Sequence, residues 1–160
     1  MTTIISKNKV FMEKIIMSDS PAETEKIGRE LAMELTEKHT RAAIRMYGEM
    51  GVGKTALVRG FCSALGISGV KSPTYTIVNE YRGTHTVFHF DMVRIESEDD
   101  LYSTGFWEYL EQSGAFVIIE WCENVDEFLG DGGVFVRIDR VAEDENKRTV
   151  TIRYGDEVTI

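Results

Sequence analysis

Apolar residues recur along this chain at two spacings, one typical of helices and one typical of strands. A spacing of four residues predicts a first helix whose buried face carries Ile27, Leu31 and Leu35. Its start is marked by Ser20 as a cap, Pro21 at the first helical position and Glu23 three residues after the cap. We therefore predict a helix that begins at this signal and ends near His39.

Continuous apolar runs predict strands that are buried on both faces, at residues 42–47 and 115–119. A further strand-like run covers residues 9–17. Two antiparallel pairs are also predicted, one around a turn at residues 82–83 and one around a charged turn at residues 143–147. The strands of these pairs are residues 75–81, 86–90, 134–138 and 148–153.

Helical spacing also predicts a long helix at residues 56–65 and three shorter helical segments later in the chain. The first of these segments begins at residues 97–100. The other two cover residues 106–110 and 124–129. Strands that alternate with helices are typical of an α/β fold, so we predict a mixed sheet with a parallel core and antiparallel edge strands, flanked by helices. No repeat or linker divides residues 1–160, which are predicted to form one domain with a strand-containing lead-in at residues 1–19.

Composition narrows the possible function classes. With a net charge of −9, the chain would be repelled by phosphate backbones, which disfavours nucleic-acid binding by this chain alone. The apolar runs are too short to cross a bilayer, and no signal-peptide core is present near the N-terminus. Only two cysteines occur, so we expect reduced thiols and a cytoplasmic location rather than a disulfide scaffold.

The segment G-E-M-G-V-G-K-T at residues 48–55 fits the phosphate-binding loop pattern G-x-x-x-x-G-K-[ST]. A predicted strand enters it and a predicted helix leaves it, which gives the overall fold a P-loop NTPase-like character. Lys54 would neutralise the β- and γ-phosphates of a nucleotide, and the Thr55 hydroxyl would ligate Mg²⁺. A glycine-rich surface turn with a solvated lysine is the alternative, but it does not account for the flanking strand and helix. The sequence therefore predicts a nucleoside triphosphate site.

Two carboxylates follow apolar strands and are candidates for metal binding or hydrolysis. Asp91 comes after residues 87–90 and Glu120 after residues 116–119, so both would lie at the strand ends beside the loop. His89 precedes Asp91 by two residues. The alternative for either acid is a solvated strand end.

Two further segments have both a functional and an ordinary explanation. The segment S-P-T-Y at residues 72–75 could offer a hydroxyl to a phosphate or be an ordinary turn. Trp121 could stack on a nucleotide or partner, or simply pack.

Four segments together resemble the TsaE (YjeE-like) family: G-E-M-G-V-G-K-T, S-P-T-Y, H-F-D-M-V-R and I-I-E-W. These bacterial proteins are small P-loop ATPases needed to make N6-threonylcarbamoyladenosine in tRNA. The resemblance covers roughly residues 20–155. Val93 departs from the family pattern, which usually has tyrosine at this position, so no role of that tyrosine is transferred.

The resemblance implies a site for ATP and Mg²⁺. Its catalytic residues would be Lys54, Thr74, Asp91 and Glu120, with Thr55 and Glu120 holding the metal. The nucleotide-binding residues would be Thr24, Glu49, Met50, Gly51, Val52, Gly53, Lys54, Thr55, Ala56 and Trp121, with Thr24 near the adenine.

The resemblance also implies an activity and partners. The protein would hydrolyse ATP slowly on its own and act with TsaB and TsaD, meeting tRNA only through that complex. Two other classes stay open at this point. A small-molecule kinase would need an acceptor pocket and usually an arginine-rich lid, and no such lid segment is evident. A regulatory module would bind ATP without turning it over.

Overall fold

The computed structural model describes residues 2–6, 9–73 and 76–160, with side chains from residue 12 onward. The strands are β1 (Thr2–Ser6), β2 (Lys9–Ser18), β3 (Ala42–Tyr47), β4 (Val78–Arg82), β5 (Thr86–Asp91), β6 (Ala115–Glu120), β7 (Val134–Val141) and β8 (Asp144–Tyr154). The helices are α1 (Pro21–Lys38), α2 (Lys54–Ala64), α3 (Glu98–Ser103), α4 (Phe106–Leu110) and α5 (Asp126–Leu129), and a 3-10 turn covers Cys122–Asn124.

The described strands form one sheet in the order β1-β2-β8-β7-β3-β6-β5-β4. Strand β3 pairs in parallel with β6 and β7, and β5 pairs in parallel with β6. The other neighbouring pairs are antiparallel. The predicted fold class is therefore confirmed. Because β3, β5, β6 and β7 all run in one direction, their carboxyl ends meet at one edge of the sheet, where ligands bind in α/β folds.

Each face of the sheet has its own apolar core because the side chains of a strand alternate between the two faces. On one face, Ile44 and Ile118 pack with Leu57 and Phe61 beneath α1 and α2. On the other face, Ile119 and Phe90 pack with the residues of α3, α4 and α5, among them Phe106. The parallel strands are thus buried on both faces, as their continuous apolar runs predicted.

Helices α1 and α2 meet backbone to backbone at two glycines. A Cβ on Gly28 would collide with the carbonyl of Leu57, and a Cβ on Gly60 would collide with the carbonyl of Glu25. The side chain of any other residue would force the two helices apart. This close contact fixes the start of α2 against α1.

Helix α1 begins as predicted. Ser20 accepts a hydrogen bond from the Glu23 amide, and the Glu23 carboxylate accepts one from the Asp19 amide. The two contacts form a capping box, shifted by one residue for its second bond. The helix ends at Lys38, with His39 as its last cap.

The last hairpin corrects the sequence prediction. The charged turn predicted at residues 143–147 is wrong, since β7 and β8 are joined by only two residues and β8 already begins at Asp144. Glu143 takes a left-handed backbone with φ of 70°, which suits a two-residue hairpin turn. Charged residues are tolerated in this strand because the end of the hairpin is solvated.

Other boundaries differ at the chain ends and near the short helices. Strand β1 was not predicted, and it pairs with β2 at the edge of the sheet. Strand β4 begins at Val78 rather than at residue 75, which lies outside the described residues together with Thr74. The helix predicted at 124–129 is a 3-10 turn followed by the short α5. In the described part of the chain, no helix combines the length and apolarity that a membrane span requires.

Candidate phosphate-binding site

The loop between β3 and α2, residues 48–53, is shaped by glycines in left-handed conformations. Gly48, Gly51 and Gly53 have φ values of 137°, 75° and 117°. Gly53 is the N-cap of α2, and it offers no side-chain hydrogen bond to the amides of the first helical turn. Unpaired amides at a helix N-terminus form a site for anions, with the positive end of the helix dipole behind them. The loop therefore has the backbone of an anion cradle.

Lys54 crosses the mouth of this loop. Its Nζ donates a 2.6 Å hydrogen bond to the carbonyl of Gly48 and lies 5.2 Å from the ring centroid of Trp121. A neutral carbonyl and an aromatic face are weak partners for a mostly buried ammonium. A bound phosphate would offer Lys54 an opposite charge within the same space.

Asp91 and Glu120 are side-by-side partners at the ends of β5 and β6. They are 8% and 5% exposed. Burial raises the pKa of Asp91 above its ordinary value, and the charge of Glu120 adds to this rise. The Val93 amide donates a 2.9 Å hydrogen bond to Oδ1 of Asp91 and opposes the rise. Two adjoining buried carboxylates repel one another, so the pair favours a bound cation.

Trp121 directs the chain out of β6 in an unusual conformation. Its φ of 55° and ψ of 39° are left-handed, a region that a bulky residue rarely adopts. Such strain is found preferentially at functional sites, where the surrounding structure enforces it. Here it turns the indole ring toward Lys54.

These residues surround one cleft of about 400 Å³. This volume falls within the range of roughly 300–1,000 Å³ that is common for small-molecule sites. The lining residues are Met50, Gly51, Gly53, Lys54, Thr55, Ser72, Asp91, Val93, Glu120 and Trp121. Most residues predicted for nucleotide or metal binding thus meet at this cleft. Val93, at the family tyrosine position, presents an apolar side chain to it.

The remaining predicted residues lie elsewhere. Val52 and Ala56 are buried beneath the loop, whereas Glu49 is exposed and pairs with Arg140 at 3.6 Å. Thr74 is outside the described residues. The nucleotide contacts predicted for these residues stay predictions.

Thr24 is 2% exposed and packs behind the loop rather than in the cleft. Its methyl group would lie 3.8 Å from a Cβ placed on Gly53. Its hydroxyl lies 2.8 Å from the Ser18 hydroxyl and donates to the carbonyl of Ser20. In this arrangement Thr24 supports the loop, and the adenine contact expected for it stays a prediction.

The chain matches a family model over residues 18–150, and the model describes the threonylcarbamoyl adenosine biosynthesis protein TsaE. That range contains the loop, both carboxylates and Trp121. The chain belongs to the TsaE family. The resemblance noted in the sequence is therefore confirmed, as is a role in tRNA threonylcarbamoyladenosine biosynthesis.

Individual TsaE proteins match over most of their length. The chain is 36% identical over 118 residues to the tRNA threonylcarbamoyladenosine biosynthesis protein TsaE of Haemophilus influenzae, covering 71% of this chain and 74% of that protein. The protein of the same name from Bacillus subtilis is 34% identical over 110 residues, 68% of each chain. The crystal structure of Bacillus subtilis YdiB aligns with a TM-score of 0.69 over 91% of this chain and 87% of that one; at 23% identity it shows the shared fold.

The supporting roles of two residues in this TsaE family member were not predicted from the sequence. Arg148 on β8 donates a 2.9 Å hydrogen bond from Nε to the carbonyl of Val52, which anchors the loop from 96 residues away. No local pattern announces such a distant contact. His89 lies 3.1 Å from Glu120. Its two-residue spacing from Asp91 did place both on one face of the strand, which was a usable signal.

Proposed function

We propose that this protein binds ATP together with Mg²⁺ in the cleft and hydrolyses it in support of tRNA threonylcarbamoyladenosine synthesis. One observation carries the proposal: the glycine loop, Lys54 and the carboxylates of Asp91 and Glu120 converge on a single cleft. A loop alone would bind phosphate, whereas hydrolysis also needs acidic residues that hold the metal and place water.

Phosphate binding would use groups that are already in place. The amides of the loop and of the first turn of α2 would donate to phosphate oxygens. Lys54 would exchange the carbonyl of Gly48 for the β- and γ-phosphates. This exchange needs little movement, since the ammonium already lies at the loop. Preorganised donors of this kind stabilise charge on a phosphoryl group as it is transferred.

The donor set beside the loop fits Mg²⁺. The hydroxyl of Thr55 and the carboxylate of Glu120 both line the cleft, and Mg²⁺ is usually held by one or two protein oxygens, with phosphate oxygens and water completing its shell. Among the residues that the structure describes, no three His, Cys, Asp or Glu side chains form a metal cluster. A metal here would thus depend on the nucleotide. When bound, Mg²⁺ neutralises charge on the phosphate oxygens.

The second carboxylate would act on water. Asp91 adjoins Glu120 but is not needed as a second metal ligand, so we assign it to hold the attacking water. Thr74 would offer its hydroxyl to the terminal phosphate.

The turnover would serve a protein complex rather than a bound small molecule. We propose that TsaB and TsaD are the partners and that they stimulate an otherwise slow hydrolysis in the cytoplasm. The net charge of −9 agrees with a protein contact, because tRNA would repel so acidic a chain. Contact with tRNA would then be indirect.

The test is phosphate release from ATP and Mg²⁺, measured with the protein alone and with TsaB and TsaD added. We expect slow release that accelerates only when both partners are present. A parallel reaction contains candidate small-molecule acceptors. Phosphorylation of an acceptor would replace this proposal with a kinase, and ATP binding with no turnover in the complete mixture would replace it with a regulatory module.

A further inference from the structure

His89 is a fully buried polar residue on the face of the sheet that carries the cleft. It precedes Asp91 by two residues on β5, so both side chains project to the same face. Its Nε2 lies 3.1 Å from Oε2 of Glu120 on the neighbouring strand, where the two side chains are 0% and 6% exposed. The contact therefore joins a solvent-free imidazole to a carboxylate of the cleft.

Glu120 is the polar partner that the structure offers this imidazole. Neither ring nitrogen makes an aligned hydrogen bond with a described residue, although Nε2 is within reach of Glu120. A buried polar group without a partner is unfavourable, and a carboxylate can only accept. A small rotation of the Glu120 carboxylate would align it with an N–H on Nε2. Contacts of this kind often tighten only when the ligand is bound.

We infer that His89 is a positioning residue, which holds one carboxylate oxygen of Glu120 and thereby leaves the other oxygen turned toward the cleft. The inference rests on the proposed function, in which Glu120 is a ligand of Mg²⁺. Residues that hold metal ligands in place typically change metal affinity or activity by about 10- to 100-fold when they are lost.

The effect of His89 should be confined to the metal. Lys54 and the loop amides contact the phosphates without help from His89, so nucleotide binding in the absence of Mg²⁺ should not depend on it. A residue that only fills space beneath the cleft would instead affect both forms of binding, or neither. This difference separates a positioning role from a packing role.

Two amide variants provide a matched test. In His89→Gln the amide nitrogen is as many bonds from the backbone as Nε2 of histidine, so it can reach Glu120. In His89→Asn the nitrogen falls one bond short. Both variants introduce a buried amide, and they differ mainly in reach. His85→Gln, one residue before the same strand and in ring contact with Phe116, controls for the loss of a histidine.

The measurement is the affinity for a non-hydrolysable ATP analogue, with and without Mg²⁺, followed by titration of Mg²⁺ at fixed analogue. Without Mg²⁺ we expect all variants to match the wild type within about threefold. In the Mg²⁺ titration, His89→Asn should need at least about tenfold more metal, and His89→Gln should stay within about threefold of the wild type. His85→Gln should match the wild type.

A double-mutant cycle tests whether His89 acts through Glu120. In a Glu120→Gln background, His89→Asn should cause no further change in the Mg²⁺ requirement. The cycle also includes His89→Leu, an apolar variant of similar bulk, so that poor folding of the asparagine variant does not prevent a decision.

Several results would overturn the inference. One is a wild-type Mg²⁺ requirement in both His89→Asn and His89→Leu. Another is an equal loss of affinity with and without the metal. If the wild type itself gains nothing from Mg²⁺, the proposed function fails together with the inference. If the wild type depends on Mg²⁺ and the His89 variants do not differ from it, the inference alone fails.

Discussion

Two charged clusters lie against the sheet, one on each face, and their hydrogen-bonding groups are satisfied to different degrees. On the face of α1 and α2, the cleft cluster comprises Lys54, His89, Asp91 and Glu120. On the opposite face, the scaffold cluster comprises Arg45, Tyr47, Cys122 and Asp126.

The scaffold cluster is saturated with hydrogen bonds. Arg45 is 2% exposed and donates to the Asp126 carboxylate at 2.7 Å and to the carbonyls of Gly130 and Gly132 at 2.8 and 2.9 Å. The Tyr47 hydroxyl donates to the same Asp126 oxygen at 2.6 Å. Burial works against the charge of Arg45, but the carboxylate of Asp126 keeps the pKa of Arg45 above its usual value. Every strong donor in this cluster has an acceptor.

The cleft cluster is left incomplete. Lys54 donates to the carbonyl of Gly48 and lies near the ring of Trp121, neither of which carries a charge. His89 has no aligned hydrogen bond with a described residue, and burial raises the pKa of Asp91. Both clusters combine a buried cation with a carboxylate beside the same sheet. What distinguishes a binding site from a scaffold here is therefore unmet hydrogen-bonding and charge capacity, which a ligand can satisfy.

Lys54→Ala should break the cleft cluster most strongly. We expect at least about 100-fold weaker ATP binding, because a charge-assisted contact to phosphate is lost. The free energy of unfolding should change by less than about 1 kcal/mol, since Lys54 makes one hydrogen bond to a neutral carbonyl. Calorimetric titration and urea unfolding measure both quantities. Lys26→Ala, on the surface of α1, should leave both unchanged; a large stability loss in Lys54→Ala would contradict the comparison.

Glu120→Gln should separate metal-dependent chemistry from phosphate binding. The neutral amide is a poor Mg²⁺ ligand, so phosphate release should slow by about 100-fold. Affinity for ATP without Mg²⁺ should stay within about threefold, because the loop and Lys54 are intact. Steady-state phosphate release measures the effect, and Glu123→Gln, an exposed neighbour, is the control. Undiminished hydrolysis would show that Glu120 is not the metal ligand of the reaction.

Asp126→Ala should have the opposite effect to the changes in the cleft cluster. It should lower the stability of the protein and leave ATP binding unchanged. The variant leaves the Arg45 charge buried without a counter-charge. Such losses cost roughly 3–5 kcal/mol in fully buried pairs. Here we expect about 2 kcal/mol, since the Asp126 side chain is 40% exposed and water can replace part of it.

The free energy of unfolding from urea denaturation measures this loss. ATP affinity of the folded variant should stay within about threefold of the wild type. Asp139→Ala, in an exposed pair with Arg137, should cost less than about 0.5 kcal/mol. If Asp126→Ala kept full stability but lost ATP binding, the assignment of the two clusters would have to be exchanged.

The thiol of Cys122 reports on the same cluster. Burial raises its pKa to about 12, and its Sγ lies 3.4 Å from Asp126. In a Cys62→Ala background at pH 8, Cys122 should react with a thiol reagent only as fast as the protein opens. Asp126→Ala should speed the reaction, and absorbance of the released dye follows it. Rapid labelling of Cys122 without the Asp126 change would show that the cluster is open.

Arg148→Leu should have the smallest effect, since it removes one remote support of the loop. Loss of the hydrogen bond to Val52 should weaken ATP binding by about fivefold, the equivalent of one net hydrogen bond. Arg137→Leu, on the adjacent strand but the other face, is the control. Titration of both variants with ATP distinguishes them, and equal affinities would show that the loop holds its shape without Arg148.

The sequence predicted the parts of the molecule that depend on local order. The parallel core follows from apolar runs such as residues 115–119, and the loop follows from a motif whose residues are contiguous. The two carboxylates could be placed because each is the last residue of a strand, and both strands end at the same edge of the sheet. Local signals were enough for the cleft.

The scaffold cluster and the loop support could not be predicted in this way. Asp126 meets Arg45 across 81 residues, and Arg148 meets Val52 across 96. Such contacts depend on which elements become neighbours in the fold, and the spacing of apolar residues along the sequence does not indicate that order. The turn at Glu143 was predicted in the wrong place for a related reason. A short charged segment is compatible with either a turn or an exposed strand, and pairing with β7 determines which of the two forms.

Titration of the wild-type protein with ATP, ADP and AMP in the presence of Mg²⁺ tests the central claim most directly. If the cleft is a triphosphate site built around Lys54, ATP should bind with one-to-one stoichiometry. AMP, which lacks the β- and γ-phosphates, should bind at least about 100-fold more weakly. Equal affinity for ATP and AMP, or no binding of ATP at millimolar concentration, would contradict the account.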